Sequence, residues 1–105
     1  MEERVFELKA GILKVFAQPT RLKILECLKS GEKSIHETVH AIHGEQSNIS
    51  RHISLMQKNH IVTTRKDGVR LMVKVKDPRV FEILDSISII LRNQMSEQSR
   101  LIKSL

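Results

Sequence analysis

The stretch Gln46-Ser47-Asn48-Ile49-Ser50-Arg51-His52-Ile53-Ser54-Leu55-Met56-Gln57-Lys58-Asn59, with the run 61–76 behind it, decides the fold. From Glu45 to about Asn59 two stripes recur at helical spacing: Ile49, Ile53 and Met56 are apolar, while Ser47, Arg51, Ser54 and Lys58 are polar. One face of this helix packs and the other is free to touch something. Next, Ile61–Arg65 and Arg70–Lys76 read as strands around Lys66-Asp67-Gly68-Val69, because Asp-Gly supplies the positive φ angles of a tight hairpin. In the second strand Leu71, Val73 and Val75 alternate with Arg70, Met72, Lys74 and Lys76, which predicts one buried side and one mostly basic side.

Upstream, Ser34 is an N-cap with Glu37 at the capping-box position, opening a short helix through Ile35, Val39 and Ile42 that Gly44 ends. Before it, Pro19 suits the first position of a helix whose Leu22, Ile24, Leu25 and Leu28 face inward until Ser30-Gly31. The first helix is expected at about residues 3–17, with Val5, Leu8, Ile12 and Val15/Phe16 on one stripe and Glu2, Glu3 and Glu7 near its start. Downstream, Asp77-Pro78 stops the strand and opens a long helix at about residues 78–104. There Val80, Leu84, Ile87, Leu91, Leu101 and Leu105 fall near a 3.5-residue repeat that Gln94 and Gln98 interrupt. The order α-α-α-α-β-β-α predicts a mainly α fold with a β-hairpin wing. This is a winged helix-turn-helix, whose last helix before the ribbon enters the DNA major groove.

A length of 105 residues predicts a single domain, 1–105. With 40% hydrophobic and 29% charged residues the composition is that of a soluble globular protein, and no apolar run is long enough to span a bilayer. Met1-Glu2-Glu3-Arg4 lacks the basic-then-apolar order of a secretory signal, so a cytoplasmic location is expected. The one cysteine, Cys27, has no intrachain disulfide partner. With three Phe and no Trp or Tyr, the composition argues against aromatic platforms for single strands and against aromatic cages. The net charge of +6 and a pI near 9.8 lie in the range of nucleic-acid binders.

The segments Phe16-Ala17-Gln18-Pro19-Thr20-Arg21-Leu22-Lys23-Ile24-Leu25 and Gln46-Ser47-Asn48-Ile49-Ser50-Arg51-His52-Ile53 closely resemble the ArsR (arsenic-repressor and metal-sensor) family of winged-helix transcription regulators. The resemblance runs without an evident gap from about Leu13 to Val75. It implies a homodimer built from the first and last helices that binds a near-palindromic operator in double-stranded DNA and usually represses transcription.

The residues themselves read the same way. Ser47, Asn48 and Arg51 lie on the outward, N-terminal part of the fourth helix, and short polar side chains plus an arginine suit base-edge hydrogen bonding. Gln46 belongs to the same DNA-binding set, and Ser50 and His52 beside it are assigned to phosphate contact or packing. Arg65, Lys66 and Arg70 flank the hairpin tip as cations for the DNA backbone or an adjacent groove. A small winged domain offers the last helix little surface, so its apolar stripe pairs with a second copy or folds back on its own domain.

His36-Glu37-Thr38-Val39-His40 matches H-E-x-x-H, the spacing at which two histidines hold zinc and the glutamate activates water. A zinc hydrolase on this motif is the alternative from another class. It is set aside because the motif sits on a short helix inside the helix-turn-helix, with no third ligand convincingly placed. An interaction module that kept the fold without binding DNA is the other alternative. His36, His40 and His43 share one side of the third helix and are candidates for a regulatory metal site, against a plainer reading as exposed or capping histidines. Metal-sensing members of the family carry Cys-x-Cys at the start of this helix, where Ser34 and His36 stand here, and others use histidines on the last helix, whereas residues 78–105 contain none. Cys27, between Leu25 and Leu28, reads as a small buried hydrophobe rather than a sensor. No glycine-rich phosphate loop is present, and no cofactor is expected.

Overall fold

The computed structural model describes residues 2–105; Met1, which opens the expected domain and the N-terminal reading above, lies outside the described residues. Five helices, α1 (Glu3–Phe16), α2 (Pro19–Cys27), α3 (Ile35–Ile42), α4 (Gln46–Lys58) and α5 (Arg79–Lys103), surround three strands, β1 (Lys33–Ser34), β2 (Val62–Asp67) and β3 (Arg70–Val75). The sheet is antiparallel in the order β1-β3-β2. This is the winged helix-turn-helix expected from the sequence, with one strand more. β1 is two residues long, too short for alternation to be read, and it exists because Lys33 and Ser34 pair with Val73 and Met72.

Local chemistry sets the helix ends. Gln18 precedes Pro19 and its side chain accepts the Arg21 backbone N–H at 2.8 Å, capping α2. α2 ends at Cys27 and tightens into a 3-10 turn, Leu28–Ser30, which carries Leu28 into the core. Ser34 and Glu37 form the full capping box of α3: the Glu37 N–H donates to Ser34 Oγ at 3.0 Å and the Ser34 N–H to Glu37 Oε1 at 3.1 Å.

Gly44 was expected to end α3, but the left-handed residue there is His43, at φ 53°. His43 N–H bonds the His40 carbonyl and Gly44 N–H the Val39 carbonyl, the paired bonds of a Schellman stop. α4 closes the same way: His60 sits at φ 61°, and the N–H groups of His60 and Ile61 reach the carbonyls of Gln57 and Met56. Histidine is among the non-glycine residues enriched in this conformation. Gly44 is instead demanded by closeness, since a Cβ there would lie 2.2 Å from Ile49 Cδ1.

The hairpin turn is displaced by one residue from the Asp-Gly pair. Asp67 stays in the ladder opposite Arg70, and the loop is Gly68-Val69 with only Gly68 at positive φ, 64°. Glycine at the first of two loop positions is the pattern of a II′ turn.

Ile24 and Leu25 of α2, Ile49, Ile53 and Met56 of α4, Val62, Val73 and the first turns of α5 (Val80, Leu84) form one buried cluster, closed at one end by Val15 and Phe16. Ile49, Ile53 and Met56 are at most 2% exposed, and each such burial is worth roughly 1.5–3 kcal/mol. This fixes which way α4 turns its other face. The alternation expected along β3 is shifted at its outer end: Leu71 is exposed because it lies beside the loop, beyond the core. Met72 is buried because the central strand sets Ser34 and Arg65 on either side of it.

The ends of the chain are least covered. Along α1 only Val15 and Phe16 are buried, and along α5 every residue from Asp85 onward is exposed. α5 spans about 37 Å at 1.5 Å per residue, and the molecule is correspondingly extended, 59 × 41 × 22 Å. Among the described residues no helix is long and apolar enough to cross a membrane.

Candidate nucleic-acid interface

α4 carries the sequence-derived set on its first two turns. Gln46, Ser47 and Arg51 are exposed, while Asn48, Ser50 and His52 are half-buried at the edges of the free face. Arg51 Nη2 donates to Asn48 Oδ1 at 2.7 Å across one helical turn. That bond holds the guanidinium along the helix surface and leaves its other N–H groups open. Ser47 Oγ donates to the Glu45 carboxylate.

His52 turns toward α2, with Nδ1 3.4 Å from Arg21 Nη1. Burial, followed by the charges of Arg21 and Arg51, holds its pKa below the ordinary histidine value, which favours the neutral ring. A neutral ring offers Nδ1 as an acceptor to Arg21. Arg21 itself was not singled out from the sequence. Its Nε donates to the Val15 carbonyl at 2.7 Å and its Nη2 to the Lys14 carbonyl at 3.3 Å, so one guanidinium joins the end of α1 to α4 through His52. The signal available was an arginine just after a helix break, where unpaired helix-end carbonyls need donors.

The hairpin cations divide into two kinds. By register, Arg65 and Arg70 lie on the sheet face shared with Met72, whereas Lys66 lies opposite Leu71 on the face that carries Val73. Arg65 is gripped at both ends of its fork by Glu32, Nε to Oε2 at 3.0 Å and Nη2 to Oε1 at 2.6 Å. Arg70 Nη2 donates to Glu37 Oε1. Both arginines of the expected DNA-contacting set are thus paired to the helix-turn-helix body, a pairing the sequence did not indicate; among the described residues Lys66 joins no ion pair. Between α4 and the wing runs a cleft of about 360 Å³ bordered by Gln46 and Ser50 on one side and Val69, Arg70 and Leu71 on the other.

The H-E-x-x-H residues do not assemble a hydrolytic centre. Glu37 is engaged by the Ser34 N–H and by Arg70, and the Ser34 bonds hold its carboxyl below the usual carboxylate range. Among the described residues no three His, Cys, Asp or Glu side chains converge to hold a metal ion, so His36, His40 and His43 form no centre within one chain. His43 serves as the stop of α3. Cys27 is half-buried beside a cleft of about 570 Å³ between α2 and α3, and burial pushes its thiol pKa up, away from the reactive thiolate.

Residues 10–88 match the family model of the methanogenesis regulatory protein FilR1, N-terminal domain. The chain is 28% identical over 104 residues to the uncharacterised HTH-type transcriptional regulator Rv0081 of Mycobacterium tuberculosis, covering 98% of this chain and 91% of that protein. The crystal structure of Rv0081 superposes with a TM-score of 0.82 over 92% of this chain and 98% of the other. The arsenical resistance operon repressor of Staphylococcus aureus is 30% identical over 79 residues, 75% of this chain and 76% of that protein. The homodimeric winged helix-turn-helix DNA-binding domain of Mb0332 from Mycobacterium bovis, described as a possible ArsR-family transcriptional regulator, shares the fold at 18% identity. Its TM-score is 0.80, over 92% of this chain and 93% of the other.

Proposed function

Because this chain belongs to the ArsR family of winged helix-turn-helix transcription regulators, we propose that it is a homodimeric repressor that binds a near-palindromic site in double-stranded DNA. The observation that carries this reading is the free face of α4: Gln46, Ser47 and Arg51 stand in solvent beside a cationic wing, on a chain of net charge +6. Arg51 and Asn48 are the base-reading pair, Ser47 and Gln46 complete that face, and Ser50 is the edge residue nearest the backbone. His52 acts on the DNA only through its packing against Arg21. Arg65, Lys66 and Arg70 meet phosphates, adding affinity with little sequence information.

The proposed dimer interface is the pair of uncovered apolar rows on α1 and α5. Val5, Leu8 and Ile12 are 39%, 58% and 47% exposed, and Ile87, Leu91 and Leu101 are 46%, 54% and 64% exposed. Contiguous apolar surface of this extent marks an interaction site, and pairing two copies covers both rows at once. A twofold dimer sets two α4 helices about one DNA turn apart, roughly 34–36 Å, for successive major grooves on one side of the duplex.

Capture of genomic fragments, followed by gel shifts on the recovered sequence, tests this. Arg51→Ala should erode the preference for that sequence over random duplex, and Lys66→Ala should weaken both alike. Failure to bind any duplex at low salt would favour a fold retained for protein interaction alone.

A further inference from the structure

The wing arginines are already bonded to carboxylates that have the shape and charge of the ligand they are meant to meet. Arg65 gives Glu32 a two-pronged grip, and Arg70 gives Glu37 one bond. Carboxylate and phosphate compete for the same planar fork, so an arginine edge turned toward one is closed to the other. We propose that Glu32 and Glu37 are internal stand-ins for DNA phosphate, occupying Arg65 and Arg70 in the free protein and giving them up to the DNA backbone when the wing docks.

Three observations carry this. Both arginines lie on one face of the hairpin, Arg70 at its free end, where Asp67 and Arg70 close the ladder, and Arg65 midway along β2, opposite Met72. Both are open to solvent, with side-chain exposures of 56% and 26% for Arg65 and Glu32 and 53% and 49% for Arg70 and Glu37, so water and an incoming anion can reach them. Exposed pairs of this kind are weak, which makes the exchange cheap. Glu37 also has another reason to keep its place when its arginine leaves, since it remains anchored by the capping box. Among the described residues Lys66 has no such stand-in, so it is a cation available for first contact, and the arginines follow by exchange. The effect is to lower the affinity for duplex of every sequence, because backbone contacts carry no sequence information.

This inference rests on the DNA-binding reading above, and the experiment separates the two. The probe is a random-sequence duplex of about 30 base pairs, long enough for one two-site dimer, titrated by fluorescence anisotropy at several salt concentrations. Glu32→Gln keeps the side chain's shape, and Glu37→Gln keeps the capping box, for which glutamine serves as well as glutamate; circular dichroism melts verify that both remain folded. Each variant should bind the duplex about two- to thirtyfold more tightly, the range spanned by two exposed ion pairs, one on each copy of the dimer. The log–log salt slope should stay close to the wild-type value, because the arginines reach the same phosphates in both complexes and only the cost of leaving the carboxylate differs. The gain from Glu32→Gln should vanish in an Arg65→Ala background. An equal gain in that background would reduce the effect to net charge and overturn the proposal, as would weaker binding by either variant, the result expected if the carboxylates merely brace the wing. A wild-type protein that binds no duplex defeats the DNA-binding reading itself, and the inference with it. In the wild-type protein the Arg65 Nε–Hε resonance should move on adding duplex; an unmoved resonance in a complex that forms also refutes the exchange.

Discussion

Replacing Arg21 with alanine removes donors from two backbone carbonyls and from the ring of His52 in a single step. The bond from Nε to the Val15 carbonyl dominates, because it is short, 2.7 Å, charge-assisted, and made to a residue only 4% exposed. Such a bond is worth about 1.5–3 kcal/mol, and its loss leaves a carbonyl at the end of α1 without a partner. The bonds to the Lys14 carbonyl at 3.3 Å and to His52 Nδ1 at 3.4 Å are longer and add little. The expected loss is therefore about 2–3 kcal/mol, which in a domain of this size lowers Tm by roughly 10–20 °C at fixed protein concentration. Arg21→Lys keeps the charge but cannot serve two directions with one rigid fork, so it should recover only part of the loss. Thermal and urea unfolding of the three proteins measure this directly. A loss below about 0.5 kcal/mol for Arg21→Ala, the size of an ordinary surface change, or full recovery by lysine, would refute the assignment of Arg21 as the brace between α1 and α4. The pH dependence supplies a second readout. The folded pKa of His52 is depressed below 6.5, so its contribution to stability is present above that value and is lost as pH falls through the lower folded pKa. Removing the Arg21 charge raises the folded value, so in the variant the pH dependence should flatten and the ring should titrate at higher pH in an NMR titration.

Three further outcomes are expected. Gly44→Ala should cost about 1–3 kcal/mol by forcing Ile49 out of its place, read by urea unfolding, whereas no loss would mean that the turn yields easily. Asp77 accepts the Arg79 side chain and backbone N–H, which hold its carboxyl down to about 2 from 3.8; its contribution to stability is present above 3.8 and lost as pH falls through about 2, so Asp77→Asn should flatten the acid limb of a stability–pH curve. Leu91→Glu, in the middle of the uncovered row of α5, should halve the mass measured by sedimentation while leaving the α2–α4 core intact; an unchanged mass would remove α5 from the interface.

The long, periodic elements were the legible ones. α4 declares both its faces across 13 residues, and the Ser34–Glu37 box announces where α3 begins. What stayed hidden depends on partners far off in sequence. β1 exists only because β3 lies beside it, and Glu32–Arg65 and Glu37–Arg70 each join residues 33 apart. Periodicity places Arg65 on a strand but says nothing about which carboxylate another element will bring to it. The same limit applies to Leu71 and Met72, whose burial follows where the core ends rather than the alternation along the strand. In the Asp67-Gly68 pair the turn signal was right, but only the glycine needed the unusual backbone.

The corner between α3 and α4 has a mechanical consequence. The Ile49 side chain is seated where a Gly44 side chain would be, and His43 is held by the bonds that stop α3, so bending here must displace a buried side chain. Packing of this kind opposes independent motion of the two helices.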